Sequence, residues 1–398
     1  MKKGEVPLLK SKVDTNKNKH DIWVVVVIAS LFITLSLGCF LKKEDSFSES
    51  ERRELKQFPL VSMESVMSGE FMEEFEAYCL DQFPIRDKFR SLKAMVKYGL
   101  FFQKDNNGIY FSKGHLSKME YPMNLPMLDY AAQKLDFIYK TYLMEQGSNC
   151  YMAIVPDKNM FLSRENGYLS MDYEELFSYM EEKVSYAEFI DLVPYLDISD
   201  YYRTDTHWKQ ECILDVAEVL KLAMDEGKEI SATKEEIEER ANIAYNTYKI
   251  EKLEKPFRGV YYGQAALPLK ADTLYYLDSE ILQQCKVTSY DTGKPVKTVI
   301  YNMKKAEGKD PYEMFLSGTS ALQVIENPSA KTEKELIVFR DSFGSSLVPL
   351  LVEEYSKITV IDIRYVQSNI LGQFVDFHGQ DTLFLYSTVV LNNSMSLR

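Results

Sequence analysis

The sequence predicts an α/β sandwich: a parallel sheet covered on both faces by helices, carrying a β-rich insertion and preceded by one transmembrane helix. Three observations carry this expectation. An N-terminal run is uncharged and long enough to cross a bilayer. From residue 150 onward, short runs that are apolar at every position alternate with helical stretches, as strands buried on both faces do. Between about residues 227 and 329 that rhythm gives way to tyrosine-rich alternating pieces.

The N-terminal run covers residues 22–41 (IWVVVVIASLFITLSLGCFL). At about 1.5 Å per residue, such a helix reaches across the roughly 30 Å of bilayer hydrocarbon. Residues 1–21 before it hold Lys2, Lys3, Lys10, Lys12, Lys17 and Lys19 against Glu5, Asp14 and Asp21. A lysine excess stays cytoplasmic, so the C-terminal bulk is expected outside, on a single-pass anchor in the cell membrane. Two alternatives stand beside the uncleaved anchor. A cleaved signal peptide calls for a shorter run and an A-x-A-like exit, and neither is present. A lipoprotein would use Cys39, which follows Ser36-Leu37-Gly38, a poor lipobox.

The net charge of −13 argues against nucleic acid as a partner. Cysteines 39, 79, 150, 212 and 285 form no C-x-x-C pair and read as mostly free thiols. No metal-ligand spacing, P-loop or dinucleotide glycine signature occurs, so no cofactor is expected.

Residues 42–105 read as a linker followed by N-terminal helices. Within 60–98, Phe71, Phe75, Tyr78 and Cys79 recur at helical spacing until Pro84 breaks the pattern. The α/β domain is expected over 106–398. Asn106-Asn107-Gly108 marks a turn before a short strand at 108–111, and 128–146 reads as a helix. Strands are expected at 150–155, 189–192, 336–339, 358–363 and 382–386, and helices at 173–186, 208–224 and 347–355.

Of four histidines, His20 falls in the cytoplasmic tail, and His115 and His378 lack a partner pattern and read as surface residues. His207 stands in Tyr202-Arg203-Thr204-Asp205-Thr206-His207-Trp208. An Asp two residues from a His can fix the imidazole tautomer, although the same spacing at a helix start also suits capping beside a surface His. Ser342 follows the apolar run Leu336-Ile337-Val338-Phe339 and precedes a helix. Ligands bind at that end of open α/β sheets, and helix N-termini offer free N–H groups; the plainer reading is a capping serine.

Together, Asp205-Thr206-His207-Trp208 and Asp341-Ser342-Phe343 resemble the SGNH-like proteins of alginate O-acetylation, and more closely the bacterial DHHW family. Supporting pieces are Glu51-Arg52-Arg53-Glu54-Leu55, Phe83-Pro84-Ile85-Arg86-Asp87, Asn107-Gly108-Ile109-Tyr110 and Ile361-Asp362-Ile363-Arg364-Tyr365. The resemblance implies an SGNH-like three-layer fold with Ser342 as nucleophile, His207 as general base and Asp205 as its orienter. Thr206 departs from the family's Asp-His-His-Trp motif and agrees with the alginate-type Asp-Thr-His-Trp. Arg340 stands where the Gly-Asp-Ser block of SGNH hydrolases has Gly. For the oxyanion hole, Gly318 is the nominee, and Thr319 sits where an Asn is wanted.

Arg364 and Tyr365 follow a strand end and either line the site or form a salt bridge and a core tyrosine. Asp157 and Lys158 follow another strand and either face the cleft or make a turn. The implied function is a serine acyltransferase or esterase acting on O-acetyl groups of an extracellular polysaccharide, supplied by a membrane-embedded acyl-transfer partner. The alternative is a non-catalytic glycan-binding or scaffold protein on the same fold.

Overall fold

The computed structural model describes residues 15–48, 50–226 and 232–398. Most of the lysine-rich tail and the first residues of the expected insertion therefore lie outside the described residues. The chain divides into two compact units, Met1–Leu92 and Lys93–Arg398.

In the first unit a helix runs over Thr15–Leu41, and its Asp21–Cys39 span is long and apolar enough to cross a membrane. Helices Met63–Ser68 and Glu70–Asp81 follow, separated by Gly69 at φ +86°. That left-handed turn ends a helix, so the pattern breaks at Gly69 as well as at Pro84. Phe71, Phe75 and Tyr78 do share a face, stacked in sequence with centroids 5.8 and 6.1 Å apart, with Phe58 edge-on to all three.

The second unit is a three-layer α/β sandwich. Its central sheet has eight strands: β1 (Cys150–Val155), β2 (Glu188–Ile190), β3 (Lys286–Ser289), β4 (Val296–Thr298), β5 (Leu322–Glu326), β6 (Glu335–Arg340), β7 (Lys357–Ile361) and β8 (Asp381–Ser387). The spatial order is β4-β3-β5-β7-β6-β8-β1-β2. The five strands from β7 to β2 are mutually parallel. The helices that matter below are α1 (Leu125–Ile138), α2 (Lys158–Asn166), α3 (Tyr173–Lys183), α4 (Leu214–Glu226), α5 (Val260–Ala265) and α6 (Gly344–Leu351).

Strand periodicity sorts the core. Leu383, Leu385, Val338, Leu336, Ala153 and Val155 point to one face, under α4 and α6. Phe384, Tyr386, Phe339, Ile337, Met152 and Ile154 point to the other, under α1 and α3. Both faces are apolar, which is why these strands read as continuous rather than alternating runs.

Four expectations are corrected. The segment at 227–329 is not an appendage: β3, β4 and β5 extend the central sheet as antiparallel strands, and β5 pairs with β7 from Leu322↔Ile361 to Glu326↔Lys357. An uncovered β7 would leave a ladder of backbone groups without partners, and Val287 and Ile325 join the core on the α4 side. Tyr261 and Tyr262 lie in α5 rather than in a strand, while Tyr275 and Tyr276 belong to a strand, Tyr275–Asp278, in a separate two-stranded antiparallel sheet with Lys249–Lys252. The helix expected at 208–224 starts late, after an extended bridge between Tyr201 and Trp208 and a 3-10 turn at Gln210–Cys212. His115 is buried, its Nδ1 against the Lys113 carbonyl.

Leu383 lies at the centre of the parallel strands and is wholly buried. Leu383→Ala is expected to lower the unfolding free energy by about 2–5 kcal/mol, measured by denaturant titration against the parent chain.

Candidate active site

Parallel strands gather their following loops at one end of the sheet, and the candidate residues other than Gly318 and Thr319 come from four such loops. After β6, the chain turns through Asp341, Ser342 and Phe343 into α6. The turn is built around the Asp341 carboxylate, whose Oδ1 accepts the Phe343 N–H at 3.0 Å and whose Oδ2 accepts the Ser387 N–H at 2.7 Å. Gly344 lets α6 start this close to the strand, because a Cβ there would stand 2.7 Å from that of Arg340. Ser342 is half-buried, and its hydroxyl does not cap the helix.

That hydroxyl meets His207 instead. His207 Nε2 lies 2.8 Å from Ser342 Oγ, and Nδ1 lies 2.6 Å from Asp205 Oδ1. A carboxylate can only accept, so Nδ1 carries the proton and Nε2 is left to accept from the serine. The two halves are 135 residues apart in sequence. The imidazole is 8% exposed as a residue and stacks on Tyr312, with centroids 3.9 Å apart and planes 9° from parallel. The Phe343 ring lies tilted against it, with centroids 5.0 Å apart. These contacts leave the ring little rotational freedom.

Asp205 is completely buried. Its Oδ1 also accepts the His207 N–H at 3.1 Å, and Oδ2 accepts the Val260 N–H at the start of α5 at 2.8 Å. Gly259 permits this approach, since a Cβ there would fall 2.2 Å from that of Asp205. The preceding residue, Thr204, is fixed to Asp272: its amide and hydroxyl donate at 2.8 and 2.5 Å, and the Arg203 amide donates at 2.9 Å.

A second set of contacts fastens the histidine segment to α6, the helix that follows Ser342. Trp208 Nε1 donates to Ser346 Oγ at 2.9 Å and to the Phe343 carbonyl at 3.2 Å. Gln210 Nε2 donates to the Ser346 carbonyl at 2.8 Å, and the Tyr312 hydroxyl lies 2.9 Å from Ser346 Oγ. Burial pushes the Tyr312 phenol well above its ordinary pKa, so it stays neutral against the imidazole.

The other nominees fare differently. Gly318 and Thr319 precede β5 at the same end of the sheet, but the Gly318 amide donates to the Phe315 carbonyl at 3.0 Å and closes a left-handed turn. As an oxyanion donor Gly318 is therefore already engaged, and Thr319 is exposed. Arg364 forms the salt-bridge alternative, with Nε and Nη2 on Asp362 at 2.9 and 2.7 Å; Tyr365 is largely exposed rather than in the core. Asp157 caps α2 and accepts from the Tyr173 and Thr388 hydroxyls, and burial pushes its carboxyl up to about 6. Lys158 is buried behind Tyr202. His378 is half-exposed beside Gln380. Sequence reasoning missed Tyr312, Asp272 and Gly259, which lie in irregular stretches whose spacing carries no periodic signal. Among the described residues no group of His, Cys, Asp and Glu is arranged to hold a metal.

A sequence model of the DHHW protein family matches residues 175–361, which include His207 and Ser342. No curated protein matches the chain. A DHHW family protein from Eubacterium siraeum superposes with a TM-score of 0.54 at 20% identity, over 73% of this chain and 95% of that one. Bacillus cereus PatB1 with a sulfonyl adduct gives 0.55 at 20% identity, over 71% and 95%. The O-acetyltransferase domain of Pseudomonas putida AlgJ gives 0.40 at 14% identity, over 72% and 92%. The first two share the fold of this chain.

Gly259→Ala forces a methyl group into Asp205. The expected result is loss of the low-field proton resonance of the His207 Nδ1–H···Asp205 hydrogen bond; a variant that keeps this resonance contradicts the packing described.

Proposed function

We propose that the protein is a membrane-anchored, extracytoplasmic SGNH-like serine acyltransferase or esterase acting on O-acetyl groups of a cell-surface polysaccharide. The observation that carries the reading is the continuous chain Ser342 Oγ, His207 Nε2, His207 Nδ1 and Asp205 Oδ1, with 2.8 and 2.6 Å between the paired groups. A nucleophile, a base and a base orienter within hydrogen-bond reach are the parts acyl transfer requires.

In the first half-reaction, Ser342 Oγ attacks the acetyl carbonyl carbon while His207 Nε2 takes the hydroxyl proton. Asp205 stabilises the imidazolium so formed. His207 then returns the proton to the departing oxygen, leaving an acetyl ester on Ser342. In the second half, His207 takes the proton of a sugar hydroxyl whose oxygen attacks that ester, and then gives that proton to Ser342 Oγ as the acetyl group leaves on the sugar. Water in place of the sugar releases acetate, so one site performs both transfer and hydrolysis. The Ser342 amide, at the entrance to α6, is suited to meet the developing oxyanion.

The acetyl and polysaccharide assignment rests on the resemblance of Asp205-Thr206-His207-Trp208 and Asp341-Ser342-Phe343 to proteins of alginate O-acetylation. The apolar helix supports the anchor, and the lysines before it support the orientation.

Incubation of the detergent-solubilised chain with a sulfonyl fluoride is expected to leave one sulfonyl group on Ser342, located by peptide mass spectrometry. Acetyl-ester hydrolysis should fall by about 10³-fold or more in Ser342→Ala. Hydrolysis that survives this substitution removes Ser342 as nucleophile, and none in the parent chain favours the non-catalytic scaffold. Deleting residues 1–41 is expected to spare hydrolysis of a soluble ester while lowering polymer acetylation in cells. Unchanged acetylation would reduce the helix to a retention device.

A further inference from the structure

Lys158 is the first residue of α2 and is only 2% exposed. A lysine is retained so deep only where its ammonium has defined partners. Its neighbour Asp157 is already engaged by Tyr173, Thr388 and the Asn159 amide. Lys158 Nζ instead donates to the Tyr202 carbonyl at 3.0 Å, with the Arg203 carbonyl at 3.5 Å. It also sits 5.1 Å from the centre of the Tyr261 ring, and the Tyr261 hydroxyl donates to Thr206 Oγ1 at 3.2 Å.

The ammonium therefore grips the segment Asp205-Thr206-His207 from two directions, by the carbonyls just before it and by the ring that reaches its middle residue. The titratable groups around it are the carboxylates of Asp157, Asp205 and Asp272, the His115 imidazole and the Tyr261 phenol, with Glu120 beyond Asp157 and Tyr261. Proton transfer between Ser342 and His207 makes no direct use of this lysine.

We propose that Lys158 is a positioning residue: its ammonium pins the Tyr202 and Arg203 carbonyls and offsets the Asp205 charge, so that His207 is held toward Ser342 while Lys158 carries its proton. The inference builds on the acyl-transfer reading of those three residues. Burial pushes the Lys158 ammonium down to about 7, against the upward pull of Asp205, Asp272 and Asp157. Below that pH the clamp is charged. Above it Lys158 becomes a neutral amine, and the attraction to the carbonyls and to Asp205 weakens.

The test uses the full chain in detergent, with p-nitrophenyl acetate as substrate and kcat and KM followed from mildly acidic to mildly alkaline pH. In the parent, kcat should decline as pH rises through about 7. Lys158→Met should lose about 10- to 100-fold in kcat with little change in KM, and the descending limb should vanish. Lys158→Gln keeps a donor without a charge, should show the same flat profile, and serves if the Met variant does not fold. A variant that keeps the parental kcat and limb overturns the proposal.

The histidine ring signals of isotope-labelled chain give a readout independent of turnover, and only four histidines need assignment. At one fixed, mildly acidic pH the His207 ring signals should move from their parental positions in both variants; signals that stay in place refute the clamp. A parent chain that hydrolyses no ester would sink the acyl-transfer reading, while this spectrum still decides Lys158.

Discussion

A carboxylate taken wholly out of water is the constraint on which this site is built. Burying an ion costs several kcal/mol unless hydrogen bonds and countercharge replace its hydration. Asp205 receives the His207 ring N–H, the His207 amide and the Val260 amide. Each donor fixes a piece of chain: the ring is aimed, the loop is curled back on itself, and α5 is drawn in until Gly259 touches the Asp205 backbone. Removing the carboxylate would leave all three donors without their acceptor, so Asp205 orders its surroundings as much as it orients His207.

The sheet supplies the other half of the geometry. β6 lies between β7 and β8, so the turn after it is flanked by two further strand ends. Asp341 uses that position, reaching sideways to the Ser387 amide and so tying the Ser342 turn to the next strand rather than to its own helix alone. Trp208, Gln210 and Tyr312 then converge on Ser346, in the first turn of α6. Ser342 is thus placed by the backbone of its turn on one side and meets the Tyr312-stacked ring of His207 on the other.

Much of this was legible in the sequence, for identifiable reasons. Strands buried on both faces leave unbroken apolar runs, so β1, β6, β7 and β8 could be read within a residue or two. The pairing of Asp205-Thr206-His207 with Ser342 was legible because proton transfer demands particular side chains at short range. What escaped notice obeys no period. Tyr312 reaches the imidazole from a 3-10 turn, and Asp272 reaches Thr204 from an isolated bridge. The antiparallel edge was misjudged because its half-exposed strands alternate like a free-standing hairpin. Only the pairing of β5 with β7 reveals that they belong to the main sheet. Gly318 failed as a donor for a local reason: its own turn needs its amide.

The strand order also bears on when the site can exist. β8 is made after every other strand of the sheet, yet it lies between β6 and β1, in the middle of the parallel set. A nascent chain that has already produced Asp205, His207 and Ser342 therefore still lacks the strand that pairs with both β6 and β1. Ser387, whose amide holds the Asp341 carboxylate, arrives with that same strand, so the turn that presents Ser342 is complete only when β8 is in place.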